Sequence, residues 1–347
     1  MQDIVKILSE EFSANENHVA NVIRLIDEGN TIPFIARYRK EMHGSMDDTK
    51  LRDISERLAY LRSLQNRRDE VRALLEGMEK LTDELSAALD AAVTLTEIED
   101  IYRPFKPKRK TRAGVAREKG LAPLAEYIFA QVEDEKPLEA HAEEFINEEK
   151  GVNSKEEALA GAKDIIAEDI SDSALIRKHL RTLLNASGSL SAVAAKDEES
   201  VYEMYYNFSS PIRKLQSHSI LAVNRGEREG FLKVSVEVSR DSAMRLIGSN
   251  VIKADNELSS AVREAAEDSY DRLLFPSIER EMRAKLTENA NEAAIKTFCL
   301  NLKALFMQPP VKNMITLGLD PAYRTGCKLA VVDPTGKVLD TAVIYHT

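Results

Sequence analysis

Cysteine is nearly missing: Cys299 and Cys327 are the only two in 347 residues. A disulfide framework is therefore not expected, and a reducing, cytoplasmic setting fits better. No run of about 18 apolar residues occurs, so no membrane-spanning helix and no membrane partner are expected. The start, Met1-Gln2-Asp3-Ile4, lacks the charged-then-apolar order of a secretory signal. The histidines at 18, 43, 141, 179, 218 and 346 form no HxxxH pair, and there is no CxxC. A structural zinc site is accordingly not expected. His43 follows a helical pattern without metal-like neighbours and reads as a surface histidine. Walker-type GxxxxGK and hydrolase GxSxG motifs are both lacking, which leaves no signal for a nucleotide-binding loop or a catalytic triad. No cofactor is implied.

What is present is a soluble globular composition, 43% hydrophobic and 31% charged, long enough for two or three domains. Net charge is −10, but it is unevenly spread. Residues 101–120 carry eight Lys or Arg against one acid, whereas residues 121–172 carry fifteen acids against four bases. An acidic total therefore does not argue against a local polyanion site.

The first 210 residues read as successive amphipathic helices. Ile4 to Phe12 and Val19 to Ile26 mark the first two, with Gly29 as a C-terminal cap. Asp47 or Asp48 caps a long third one, whose apolar positions are Leu51, Ile54, Leu58, Leu61, Leu64, Val71, Leu74 and Met78. Shorter helices follow near 82–91 and 94–101. Pro104, Pro107 and Gly114 argue against a regular helix between them. Helical patterning returns at 121–132, 137–147, 154–169 and 172–186. Ile220 to Val223 and Phe231 to Val238 read as a hairpin turned by Asn224 to Gly230. Helices near 256–274 and 277–306 are expected to be kinked or separated at Pro276. After Gln308-Pro309-Pro310 come three strands, Met314–Asp320, Cys327–Asp333 and Val338–Tyr345, with a turn at Asp333-Pro334-Thr335-Gly336. Such a sheet cannot bury both faces alone, and the expectation is an N-terminal fragment cut inside a domain. The fold class is mainly α, with a small hairpin and the first strands of an incomplete α/β domain.

The strongest chemical signal is the basic block Arg103, Lys106, Lys108, Arg109, Lys110, Arg112, Arg117 and Lys119. Phosphates attract such cations without any base code, and Tyr102 and Phe105 are placed to stack on unpaired bases. The competing reading is that the block packs on the acidic 121–172 stretch and that the aromatics are core anchors. Arg37, Arg39 and Lys40 either extend this patch or form an ordinary solvated helix end, and the second reading is preferred. In the hairpin loop, Arg225 and Arg228 are offset by Glu227 and Glu229. Cys299 and Cys327 read as small buried residues. Gly326 is expected to supply a backbone conformation that a side chain would hinder, and Arg324 and Lys328 flank the same turn.

Four stretches together resemble the Tex family of bacterial transcription accessory proteins. They are Ile32-Pro33-Phe34-Ile35-Ala36-Arg37-Tyr38-Arg39-Lys40-Glu41 with Tyr60-Leu61-Arg62; Tyr102-Arg103-Pro104-Phe105-Lys106-Pro107-Lys108-Arg109-Lys110-Thr111-Arg112 running into Ala116-Arg117-Glu118-Lys119-Gly120-Leu121; Leu221-Ala222-Val223-Asn224-Arg225-Gly226-Glu227; and Gly318-Leu319-Asp320-Pro321-Ala322-Tyr323-Arg324-Thr325-Gly326-Cys327-Lys328. The resemblance implies a helical region over 1–210 that includes a helix-turn-helix-like part, a hairpin and long linking helices over 211–308, and the start of an RNase H-like domain over 312–347. It further implies a monomeric, cytoplasmic scaffold that touches RNA or DNA and the transcription machinery. Asp320 falls where RNase H-like nucleases hold a metal, but Ala322 replaces the glycine usual in resolvase-like relatives, and one carboxylate does not make a two-metal site. The resemblance implies a vestigial position rather than a catalyst and no bound metal. A metal-dependent nuclease and a pure protein-interaction scaffold are the alternatives.

Overall fold

The computed structural model describes residues 4–108, 110–132, 134, 136–309 and 312–345. The chain divides into two compact units. One comprises residues 1–190, 211–213 and 235–282; the other comprises 191–210, 214–234 and 283–347.

The first unit is built from α1 (Ile4–Glu11), α2 (Glu16–Asp27), α3 (Ile32–Tyr38) and α4 (Asp48–Gly77). Asn15 and Asp47 cap α2 and α4 by accepting from the backbone amides of Asn17 and Lys50. One face of α4 serves two cores. Leu51, Ile54, Leu58 and Leu61 close over Leu8, Val19, Val22 and Ile35. Leu64, Val71 and Leu75 pack with Leu89, Ile98 and Tyr102 from α5 (Asp83–Ala91) and α6 (Leu95–Tyr102). The buried stripe ends on Leu75, while Leu74 and Met78 are exposed. The 3.6-residue period carries the seam one position past the expected pair. His43 is a larger departure. It is fully buried rather than on the surface, and neither ring nitrogen has a hydrogen-bond partner among the described residues.

A 3₁₀ turn, Arg103–Phe105, leads from α6 into a loop, and α7 (Arg112–Glu118) starts at Thr111. Gly114 lies inside this helix, so the expected break ends sooner than Gly114 suggested. Next come α8 (Ala122–Ala130), α9 (Leu138–Glu143), α10 (Lys155–Asp172) and α11 (Ala174–Ser187). α10 is the axis of the unit, burying Ala158, Ala162, Ile165, Ile166 and Ile170. Gly161 lets α7 approach it: a Cβ there would stand 2.4 Å from Leu121 Cδ1 and 3.3 Å from Ala116 Cβ.

β1 (Ser189–Ala194) and β2 (Asn207–Pro211) precede α12 (Ser217–Arg228) and β3 (Leu232–Glu237), and the strands form a sheet ordered β2-β1-β3. The expected hairpin is therefore corrected. Ile220 to Val223 is helical, and the buried positions Ile220, Val223 and Gly226 repeat every three residues. A short apolar run cannot distinguish helix from strand. Gly226, read as a turn residue, is a close-contact glycine, since a Cβ there would meet Leu232 Cδ1 at 2.6 Å. The second half of the reading holds: Leu232, Val234 and Val236 are buried in alternation. Glu227 pairs with Arg283, and Asn224 donates to Thr287 Oγ1 at 2.8 Å.

α13 (Arg240–Val251) and α14 (Glu257–Asp268) follow. Residues Ser269–Leu274 form a π-helical stretch that runs directly into α15 (Phe275–Phe306). Pro276 thus does not separate two helices; the widened π-helical turn lies directly before it. In the second unit, Cys299 is exposed on α15, against the expectation of burial. β4 (Thr316–Asp320), β5 (Cys327–Val332) and β6 (Val338–Ile344) form the antiparallel sheet expected. Its residues Leu317, Leu319, Val343 and Ile344 are exposed. Gly326 has φ +76°, and a Cβ there would lie 2.7 Å from Val343 Cγ1.

Candidate nucleic-acid interface

The basic block is held by neighbours of opposite charge. Thr94 caps α6 through the Glu97 amide. The helix ends on Tyr102, which is 5% exposed within the second core, with Phe105 packed against the same core. The aromatics are therefore anchors and not a stacking surface. Thr111 caps α7 by accepting from the Gly114 amide at 2.9 Å, and buried Ala113 and Ala116 seat the helix. The close α7–α10 approach then brings the cations onto the acids at the end of α10.

Arg103 Nε meets Asp172 Oδ1 at 3.2 Å. Lys108 pairs with Asp172 and lies 3.2 Å from Glu168. Arg117 contacts Glu168 at 2.8 Å and Asp169 at 2.5 Å. Lys119 donates to the Gly151 carbonyl at 2.6 Å. Glu168 and Asp172 are largely buried, with side chains 11% and 8% exposed. Burial would raise the Glu168 carboxyl, but hydrogen bonds from Arg117 and Thr111 and the charge of Lys108 outweigh it and hold the pKa below its ordinary value.

The remaining cations differ. Lys106 is exposed and reaches Glu99 at 3.4 Å. Arg112 lies within electrostatic reach of Asp164 and Asp268. Lys110 is exposed and forms no ion pair among the described residues. Arg109 lies outside the described residues. Lys106, Lys108, Lys110 and Arg117 line a cleft of about 670 Å³ whose opposite side is Glu168 and Asp172. The acidic stretch that sequence reasoning set against the block is its direct partner.

A second charged cluster went unnoticed in the sequence. Arg177 on α11 is fully buried, bonded to Asp100 at 2.9 Å and paired with Glu281. Arg181 contacts Asp100 at 2.5 Å and Glu281 at 2.9 Å. Asp100 adjoins Glu99 and Arg177 adjoins Lys178, as on ordinary solvated helix faces, so no local signal marked either charge as buried.

Asp320 sits exposed at the end of β4, in register with Lys328. Among the described residues no group of three or more His, Cys, Asp or Glu could hold a metal ion, and no helix is long and apolar enough to cross a membrane.

This helical chain with an ion-paired basic loop and a separate three-stranded sheet matches three family models in succession. They are the Tex-like protein N-terminal domain over residues 2–76, the Tex central region-like domain over 133–298, and the Tex protein YqgF-like domain over 314–347. The chain is 48% identical over 343 residues to the uncharacterized protein YdcI of Bacillus subtilis, covering 97% of this chain and 48% of that protein. It is 38% identical over 352 residues to the transcriptional accessory protein Tex of Neisseria gonorrhoeae, covering 99% and 46%. It is 33% identical over 361 residues to the human S1 RNA-binding domain-containing protein 1, covering 99% and 36%. The chain belongs to the Tex family. It spans about half the length of the bacterial relatives it matches.

Proposed function

We propose that this chain is the helical scaffold of a cytoplasmic, nucleic-acid-binding transcription accessory protein. In this reading it acts as a monomer, without catalysis, and contacts RNA or DNA through phosphates rather than bases. The observation that carries the reading is the near full-chain similarity to relatives named for transcription and for RNA binding. The helix-turn-helix-like part, the segments 1–210, 211–308 and 312–347, the RNase H-like character of the last of these, and contact with transcription machinery belong to the same proposal.

The geometry supports only part of the basic block as a phosphate contact. Arg103, Lys108 and Arg117 are committed to largely buried carboxylates. Drawing one away leaves a buried charge short of a partner, which costs about 1–3 kcal/mol. Lys106 and Lys110 carry no such penalty, and they are assigned the contact. The test is a salt titration of the chain with single- and double-stranded RNA and DNA. Lys106→Ala with Lys110→Ala is expected to flatten the log–log salt slope by about 1.4 units on a single strand and about 1.8 on a duplex, as loss of two phosphate contacts requires. Absence of measurable binding by the unaltered chain at low salt would refute the reading for these residues.

A further inference from the structure

We propose that α3 and the residues just after it form a second contact for a nucleic-acid strand, a platform of Phe34 and Tyr38 bordered by Arg37, Arg39 and Lys40 that takes unpaired bases and their phosphates. The inference rests on the nucleic-acid reading above and adds a site that lies outside the 103–119 block.

The cations of this segment are satisfied differently from several arginines of the same unit. In the same unit Arg57, Arg62, Arg67 and Arg72 each meet a carboxylate. Arg37, Arg39 and Lys40 meet none among the described residues. Arg39 Nη1 donates to the Tyr38 carbonyl, at 3.1 Å. Instead, the arginines lie against rings. The Arg39 guanidinium is 5.2 Å from the Phe34 centroid, and that of Arg37 is 6.0 Å from the Tyr38 centroid. The two rings are 5.2 Å apart and inclined at 47°. Tyr38 is 57% exposed, a large open area for an aromatic side chain.

The helix explains why the Tyr38 ring stays outside and Phe34 is only half-buried. Ile35 is fully buried and pins α3 to the first core, with Ile32 and Ala36 packed beside it. Phe34 and Tyr38, four residues apart, share another edge. The following chain is fixed as well: Asn21 Nδ2 donates to the Met42 carbonyl at 3.0 Å, and His43 is buried. The platform therefore stands on a rigid base.

A π surface with unpaired cations around it suits a single strand, whose bases are free to stack and whose phosphates need no sequence code. A duplex keeps its base faces covered. An acidic protein segment would use the cations but has no need of the open ring.

Fluorescein-labelled dodecamers of deoxythymidine and of uridine, titrated against the chain at several salt concentrations, test the site. Tyr38→Ala is expected to weaken both about tenfold, because stacking on an aromatic is worth that order per base. Tyr38→Phe keeps the ring and is expected to change affinity less than about twofold by the same argument. Arg37→Ala, Arg39→Ala and Lys40→Ala together should flatten the salt slope by about 2 units. These side chains lie outside the core, and an unchanged urea midpoint confirms that each variant folds. If Tyr38→Ala and the triple variant bind like the unaltered chain while Lys106→Ala with Lys110→Ala is impaired, the α3 site is overturned and the functional reading stands. If the unaltered chain binds neither dodecamer, the reading itself fails and takes the site with it.

Discussion

Arg117 donates from Nη1 to the Glu168 carboxylate at 2.8 Å, and through that contact α7 is locked to α10. A basic loop that looks like an open polyanion site in the sequence is, over most of its length, one half of an internal electrostatic seam. The seam separates the cations that hold the fold from those available to a ligand.

Lys108 belongs to the first group. Its ammonium serves both Asp172 and Glu168, neither of which has much access to water. Lys108→Ala is expected to lower stability by about 1–3 kcal/mol, the cost of a buried acceptor losing a donor, with Arg103 still on Asp172 limiting the damage. Urea denaturation followed by circular dichroism measures it. An unshifted midpoint would mean that Lys108 is solvated and free, and would return it to the candidate phosphate contacts.

The same seam dictates an acid response. The Glu168 pKa in the folded chain is depressed below its ordinary value of 4.5. A depressed folded pKa stabilises the fold above the unfolded value, and that stabilisation is lost as pH falls through the folded one. The gap in unfolding midpoint between the unaltered chain and Glu168→Gln should therefore be full above about pH 5 and shrink as pH falls below 4.5. A gap that grows on acidification would contradict the assignment.

The elements that were legible in the sequence are those whose signal is local. The α4 cap at Asp47, the strands β4 to β6 and the turn at Gly336 follow from side-chain chemistry within a few residues, whereas the Asn15 cap of α2 was not read. What stayed hidden depends on neighbours distant in the chain. Ile220 to Val223 has no local feature that separates helix from strand, and the decision comes from Gly226 closing on Leu232. β1, with serines at 189 and 191, is a strand because β2 and β3 flank it. His43 is buried because α2 and the residues after α3 close around it, at the point where a Cβ on Gly44 would collide with the His18 ring at 2.3 Å. For the candidate site, the charges were visible and their pairing was not. Glu168 and Asp172 are four apart on one face of α10, which marks them as a pair, yet only the packing shows that they meet Lys108.

That packing depends on Gly161. Alanine is the better helix former by about 1 kcal/mol, so Gly161→Ala would stabilise an isolated α10. Here the new methyl would stand 2.4 Å from Leu121 Cδ1, in a side chain only 1% exposed. Overpacking of this kind costs about 1–3 kcal/mol, so the net expectation is a loss. The variant should also disturb the Arg117–Glu168 contact, because Ala116 of α7 stands 3.3 Å from the same methyl and Leu121 follows closely in the chain. Thermal unfolding decides the sign; a gain in stability would show that Leu121 has an alternative rotamer with space around it.

The Asp100–Arg177–Arg181–Glu281 cluster gives the most severe expectation. Burial, together with the charge of Arg103, pushes the Arg177 guanidinium below its ordinary pKa, and Glu281 and Asp100 oppose the shift. Arg177→Met removes one cation and leaves Asp100, itself 4% exposed, with Arg181 alone. Breaking a buried ion pair from one side costs about 3–5 kcal/mol. Asp100→Asn should cost a similar amount, since it leaves the fully buried Arg177 with Glu281 and the Ser277 hydroxyl alone and takes from Arg181 one of its two carboxylates. The double variant removes both charges at once and should lose clearly less than the two single losses added, by more than about 1 kcal/mol, as expected for residues in one network. Urea midpoints for the four proteins complete the cycle. Simple additivity would show that Arg177 is held by Glu281 and Ser277 rather than by Asp100, and that the α6–α11 junction rests on its apolar contacts.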